Sequence, residues 1–218
     1  MMAGLVGASV CILIQGCALL SAPKLDIEKS VLNQAPTAVP DREIARGTVL
    51  VFPPATTPVY DTVLMAYRTE PREIAYFRRR QWGATPSQMV QPLLVATLEK
   101  THSFRVVLVP PYTGPYTYSL RTEILDLIQD FTPKSATLVL SLRFQLAGYG
   151  ASRVIATRDI SVREPMLQRN SRSGVVAAND ATAKALRQMA EFVLESTESD
   201  AAPKGKPSHQ SREASFSE

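Results

Sequence analysis

Residues 137–146 constrain the fold more than any other stretch of the chain. Leu138, Leu140, Leu142, Phe144 and Leu146 alternate with Thr137, Val139, Ser141, Arg143 and Gln145. Successive side chains of a strand point to opposite faces, so the alternation predicts a half-buried antiparallel strand with one dry and one wet face. Such a strand needs partners on its edges and a second layer over its apolar side chains.

Partners are readable on both sides. A turn is expected over residues 148–152, after which Val154, Ala156, Ile160 and Val162 continue the pattern on a second strand. Residues 118–131 read as a long strand in which Leu125 and Leu127 break the alternation of Leu120, Thr122 and Ile124. One extra residue at Ile124-Leu125, a β-bulge, would restore register. Shorter β-rich runs occupy residues 48–52, 60–68, 72–77 and 105–109, the middle two joined as a hairpin around Glu70-Pro71.

Two amphipathic helices supply the second layer. Thr85 is placed to cap the first, with Pro86 at the opening position and Gln88 three residues after the cap. Val90, Leu94 and Leu98 recur every four residues beside Met89 and Leu93, while Pro92 inside the stripe predicts a kink. Residues 176–196 form the other, with Ala185, Leu186, Met189, Phe192 and Val193 opposite Lys184, Arg187 and Glu191. The expected fold is α/β: a mixed, largely antiparallel sheet packed by two main helices in a two- or three-layer sandwich.

The N-terminus carries a different kind of signal. No charged side chain occurs before Ile14-Gln15-Gly16-Cys17, and the apolar run from Val6 to Ile14 has signal-peptide length. It is too short to span a bilayer, which takes roughly 20 helical residues. A small residue before a cysteine at its end predicts cleavage there and lipid attachment at Cys17. Several acyl chains would make that anchor effectively permanent. The expected organisation is a lipoprotein signal peptide at 1–16, lipidated Cys17 and a tether at 17–47 with a short strand near residues 25–27, a domain at 48–197 and a disordered tail at 198–218. Ala18 after the cysteine, where aspartate favours inner-membrane retention, predicts an outer-membrane, periplasm-facing location.

Composition narrows the function. A net charge of +4 is spread without long basic runs, so no nucleic-acid footprint is expected. Cys11 and Cys17 are the only cysteines, which leaves no internal disulfide after cleavage. The motifs of serine hydrolases, zinc proteases and phosphate-binding loops are missing, so no catalytic, cofactor or metal site is expected. His102 reads as a surface histidine at a helix end, and Asp126 and Asp130 as acids on one side of a strand. Two stretches read as candidate interfaces. Arg78, Arg79 and Arg80 stand beside Trp82. A binding site would pair guanidinium forks for carboxylate or phosphate with Trp82 as an apolar anchor. The other reading is a solvated charged loop with Trp82 packed into the core. Tyr112 and Tyr116 lie in a proline-rich loop.

The order of these features resembles the ABC-type transport auxiliary lipoproteins, which include the PqiC-type intermembrane transport lipoproteins. The matching stretches are Tyr60-Asp61-Thr62 with Met65 and Tyr67, Trp82 with Pro86, Leu94 with Leu98, Phe104 with Val106, Leu120 with Phe131, and residues 177–194. The resemblance spans roughly residues 49–194; Pro92, the uncharged signal and the polar tail depart from it. It implies a non-enzymatic lipoprotein at the outer membrane, docking or capping the periplasmic tunnel of an MCE-domain protein. An inner-membrane permease and ATPase would complete the set, and a ring-shaped homo-oligomer is compatible with the family. The alternative is a lipoprotein that itself holds lipid or another apolar ligand between sheet and helices.

Overall fold

The computed structural model describes residues 26–41, 47–148 and 153–201. Its spine is β7 (Tyr118–Asp130). Along one edge β7 pairs over its whole length with β8 (Thr137–Gly148), which pairs in turn with β9 (Arg153–Pro165), giving an antiparallel meander. The expected bulge is present, because the β7–β8 register shifts between Ile124 and Asp126. Leu125 is the extra residue. It lets Leu120 and Ile124 before it, and Leu127 after it, enter the same core. The turn expected after Gly148 lies outside the described residues. In β9 the register shifts opposite Leu146 and Ala147, so Val154 is exposed and Ile155 packs against the core instead.

The other edge of β7 is shared by short strands laid end to end. β2 (Thr48–Val51), β3 (Ala55–Thr56) and β4 (Leu64–Arg68) all run parallel to it. From this fringe two limbs extend: β6 (Val106–Leu108) beside β2, and β5 (Ala75–Trp82) beside β4 with β1 (Glu28–Ser30) beyond it. The sheet is mixed, with its long ladders antiparallel and most of its short ones parallel. The strand expected from residue 60 begins only at Leu64, because hydrogen bonds among residues 57–62 close a pair of turns first.

α1 (Pro86–Glu99) and α2 (Ser171–Ala201) cover one face together, so the sandwich has two layers. The Thr85 N–H donates to Gln88 Oε1 at 3.2 Å, closing the first turn of α1. The helix runs on through Pro92, whose ring is exposed. Between the layers, Leu94, Leu98, Phe144, Met189 and Phe192 are each no more than 2% exposed.

α2 is longer than expected at both ends. Asn170 caps it by accepting the Ser173 N–H at 2.9 Å. Gly174, in the next position, weakens the helical signal in the sequence. The fold requires it there: a β-carbon at Gly174 would lie 2.1 Å from Cδ of the buried Gln129. At the other end, residues 198–201 of the expected disordered tail are helical, and Arg153 of β9 pairs with Asp200 at 2.8 Å.

The expected tether is corrected more deeply. Its strand is β1, at Glu28–Ser30, just past the expected residues, and Leu32 is buried in the core. Asn179 of α2 accepts the Asn33 and Gln34 N–H groups at 2.9 and 3.1 Å and donates to the Val31 carbonyl at 3.0 Å. Lys100 Nζ donates to the carbonyls of Pro36 and Thr37 at 3.1 and 2.5 Å. Residues 28–37 are therefore a strap held by both helices, and the folded domain starts near Glu28 instead of residue 48. Its backbone bonds reach side chains as far as 146 positions away, which local periodicity cannot reveal.

Candidate functional site

The arginine run lies in β5, and the strand is irregular there. Leu64 faces Gln81 while Ala66 faces Tyr76, so β5 bulges away from β4 over residues 77–80. The bulge separates the three arginines. Arg80 turns towards β1, bonding the Glu28 carboxylate and Ser30 Oγ, the latter at 3.3 Å. Arg78 and Arg79 are exposed. From the first turn of α2, Arg172 Nη2 approaches the same Glu28 oxygen at 3.8 Å. Glu28, Phe77, Arg79, Arg80 and Ser171 line an open cavity of about 330 Å³. A bulged strand, an edge strand and a helix start thus meet at one concave, cationic place.

Trp82 is not part of it. The indole is 3% exposed and belongs to the core with Leu32 and Met89, so of the two readings the packed one holds and the anchor does not. The irregular register of β5 puts both Phe77 and Trp82 against the interior, and Phe77 is the aromatic that reaches the cavity. Phe77 is itself braced by Tyr67, with ring centroids 4.5 Å apart.

The tyrosine loop is elsewhere, at the start of β7, whereas β4 and β5 attach near its end. The Tyr112 hydroxyl donates to the Pro115 carbonyl at 3.2 Å and Tyr116 is half-buried, so the loop is folded on itself. Tyr112 and Tyr116 are not brought together with Arg78, Arg79 or Arg80. Cys17 lies outside the described residues.

The helix-free face carries the acids. The Tyr60 hydroxyl donates to Asp126 Oδ1 at 3.3 Å, and Arg68 pairs with Asp130 at 2.5 Å. The Arg68 hydrogen bond holds the Asp130 carboxyl down at about 2, against the desolvation that would raise it. Burial, with the Asp126 charge next, pushes the Tyr60 hydroxyl up to about 12. Each acid thus has its own hydrogen-bonding partner. His102 is exposed at the end of α1, with Nδ1 3.6 Å from Asp41. Among the described residues no group of His, Cys, Asp and Glu could hold a metal ion, and no helix is long and apolar enough to cross a membrane.

Sequence reasoning missed Arg172, Glu28 and Asn179. Asn179 did leave a signal, an amide among Ala177, Ala178 and Ala181 on a buried helical stripe, where an amide demands partners. Arg172 and Glu28 left none, since their meeting depends on the crossing of β1 and α2.

Comparison with known proteins follows the fold. The family model of the ABC-type transport auxiliary lipoprotein component matches residues 31–190, beginning within the strap. The crystal structure of XCC0632 from Xanthomonas campestris, a DUF330 protein, is similar with a TM-score of 0.69 at 18% identity, covering 80% of this chain and 98% of that one. A second solved structure, of a protein described as uncharacterized, gives a TM-score of 0.61 at 12% identity and covers 77% of this chain and 99% of its own. At these identities the likeness is one of fold. No curated protein matches the chain in sequence.

Proposed function

Because the chain belongs to the ABC-type transport auxiliary lipoprotein component family, we propose that it is the outer-membrane lipoprotein of an MCE-type lipid transport system. In this reading Cys17 carries the lipid, the domain faces the periplasm, and the protein works without catalysis as a docking or capping piece for an MCE-domain protein. An inner-membrane permease and an ATPase of the same system complete the set, and the ATPase supplies the energy. The observation that carries the reading is the family match, which runs from the strap into α2 and takes in every strand of the sheet except β1. A ligand held between sheet and helices has no observation in its favour, since side chains of both layers fill that space.

Affinity purification of the lipidated protein from envelope membranes tests the proposal. Recovery of an MCE-domain protein is expected; its absence under conditions that keep the transporter intact refutes the docking role. Cys17→Ala is expected to release the protein from the outer-membrane fraction and abolish transport, and transport that survives the substitution counts against the anchor.

A further inference from the structure

We propose that the cavity between β5, β1 and the first turn of α2 binds a phosphate group. Arg79 and Arg80 line it, and Arg172 reaches its edge from a different element. Against these three cations stands one carboxylate, Glu28, so the site keeps a net charge of +2. Glu28 also shows what the geometry can do: a single oxyanion there collects guanidinium groups from β5 and from α2. Guanidinium forks match the spacing of phosphate oxygens and form charge-assisted pairs with them. Near neutral pH free phosphate carries between one and two negative charges and a phosphodiester headgroup one, so the first balances the excess and the second halves it.

Size argues for a small group over a protein surface. An open cavity of about 330 Å³ takes a phosphate with a few attached atoms, whereas a stable protein interface covers about 800 Å² on each partner. Phe77 adds an apolar wall against which the carbon atoms of a phosphate ester can pack. The same chemistry is offered by free phosphate and by a phospholipid headgroup.

Position along the chain favours the headgroup. Glu28 follows Cys17 by eleven residues, a span of at most about 40 Å fully extended. A lipid on Cys17 would keep the cavity close to the membrane surface. This preference for a headgroup rests on the proposed anchor, which intact-mass measurement of the purified protein tests independently; phosphate binding itself does not.

The test is calorimetric titration of the full-length protein in dodecyl maltoside, at low salt. The probes are inorganic phosphate and, separately, dihexanoyl phosphatidylglycerol. Binding of either supports the proposal: the lipid alone identifies a headgroup site, and inorganic phosphate alone a site for free phosphate. Arg79 and Arg172 are exposed, so Arg79→Gln and Arg172→Gln leave the core intact. Each charged contact is worth about tenfold in affinity, and the double variant should bind about a hundredfold more weakly. Arg105→Gln, the same charge change at the exposed start of the β6 limb, should leave binding unchanged. The proposal is overturned by absence of binding to both probes, or by equal losses in the Arg105 variant and the double variant.

Discussion

On one side of β7 a single strand, β8, follows it from end to end, and β9 follows β8. On the other side β2, β3 and β4 divide the same edge among them, each pairing over two or three residues. The meander is held by burial, with Leu138, Leu140, Leu142, Phe144 and Leu146 each no more than 1% exposed. The fringe also buries Val49, Val51, Met65 and Trp82, but it adds polar contacts between distant segments: Asn179 on the strap, Arg80 on Glu28, Tyr60 on Asp126, Arg68 on Asp130. Hydrophobic burial is non-directional and makes a rigid platform. Directional contacts can arrange charged groups in concave places, and the arginine cavity lies in the fringe.

That contrast can be broken by substitution. Phe144→Ala, in the centre of the meander, should cost about 4 kcal/mol and lower the urea midpoint for the whole domain; a loss below about 1 kcal/mol would show that the platform is elsewhere. Asn179→Ala removes the strap's clamp and should cost about 3 kcal/mol from its several hydrogen bonds. Hydrogen exchange should speed up in residues 31–34 while β8 stays protected. Equal loss of protection in both would erase the distinction between the two regions.

Gly174→Ala is a sharper case. Alanine improves helix propensity by about 1 kcal/mol, yet the added β-carbon would collide with Gln129, and overpacking should leave a net loss of about 2 kcal/mol. A raised melting temperature would mean that Gln129 moves aside freely.

Titration distinguishes the fringe further. The Asp130 carboxyl falls from 3.8 unfolded to about 2 folded, so its stabilisation is present above 3.8 and lost as pH falls through 2. The Tyr60 hydroxyl rises from 10.0 to about 12, so its contribution is present below 10 and lost as pH rises through 12. Each is worth about 2 kcal/mol. Tyr60→Phe should flatten the alkaline limb of the stability profile and Asp130→Asn the acid limb; an unchanged profile in either variant removes that contact from the account. The smallest effect is expected on the open face of the meander. Arg143 pairs with Asp159 at 2.8 Å where both are exposed, and Arg143→Gln should leave the urea midpoint unchanged at physiological salt.

The two regions also differed in how far the sequence revealed them. The alternation in β8, the bulge at Leu125 and the Thr85 start of α1 are set by neighbours within a few residues, and all were legible. The strap was not, because Asn33 and Gln34 find their acceptor 146 and 145 positions away. At the cavity, the arginine run was visible as a cationic cluster. Its acidic partner and third guanidinium come from β1 and α2, and the register of β5 decided for the core between the two readings of Trp82 that the sequence left open.

The strap also fixes a mechanical order. A pull applied through the N-terminal segment reaches β1 first, loading its short pairing with β5. The Asn179 hydrogen bonds come next, then those of Lys100, and only afterwards the β2 strand in the core. The domain therefore has a series of small releases ahead of its platform, and tension on an anchored chain would be taken up by peeling of the strap before any strand of the meander bears load.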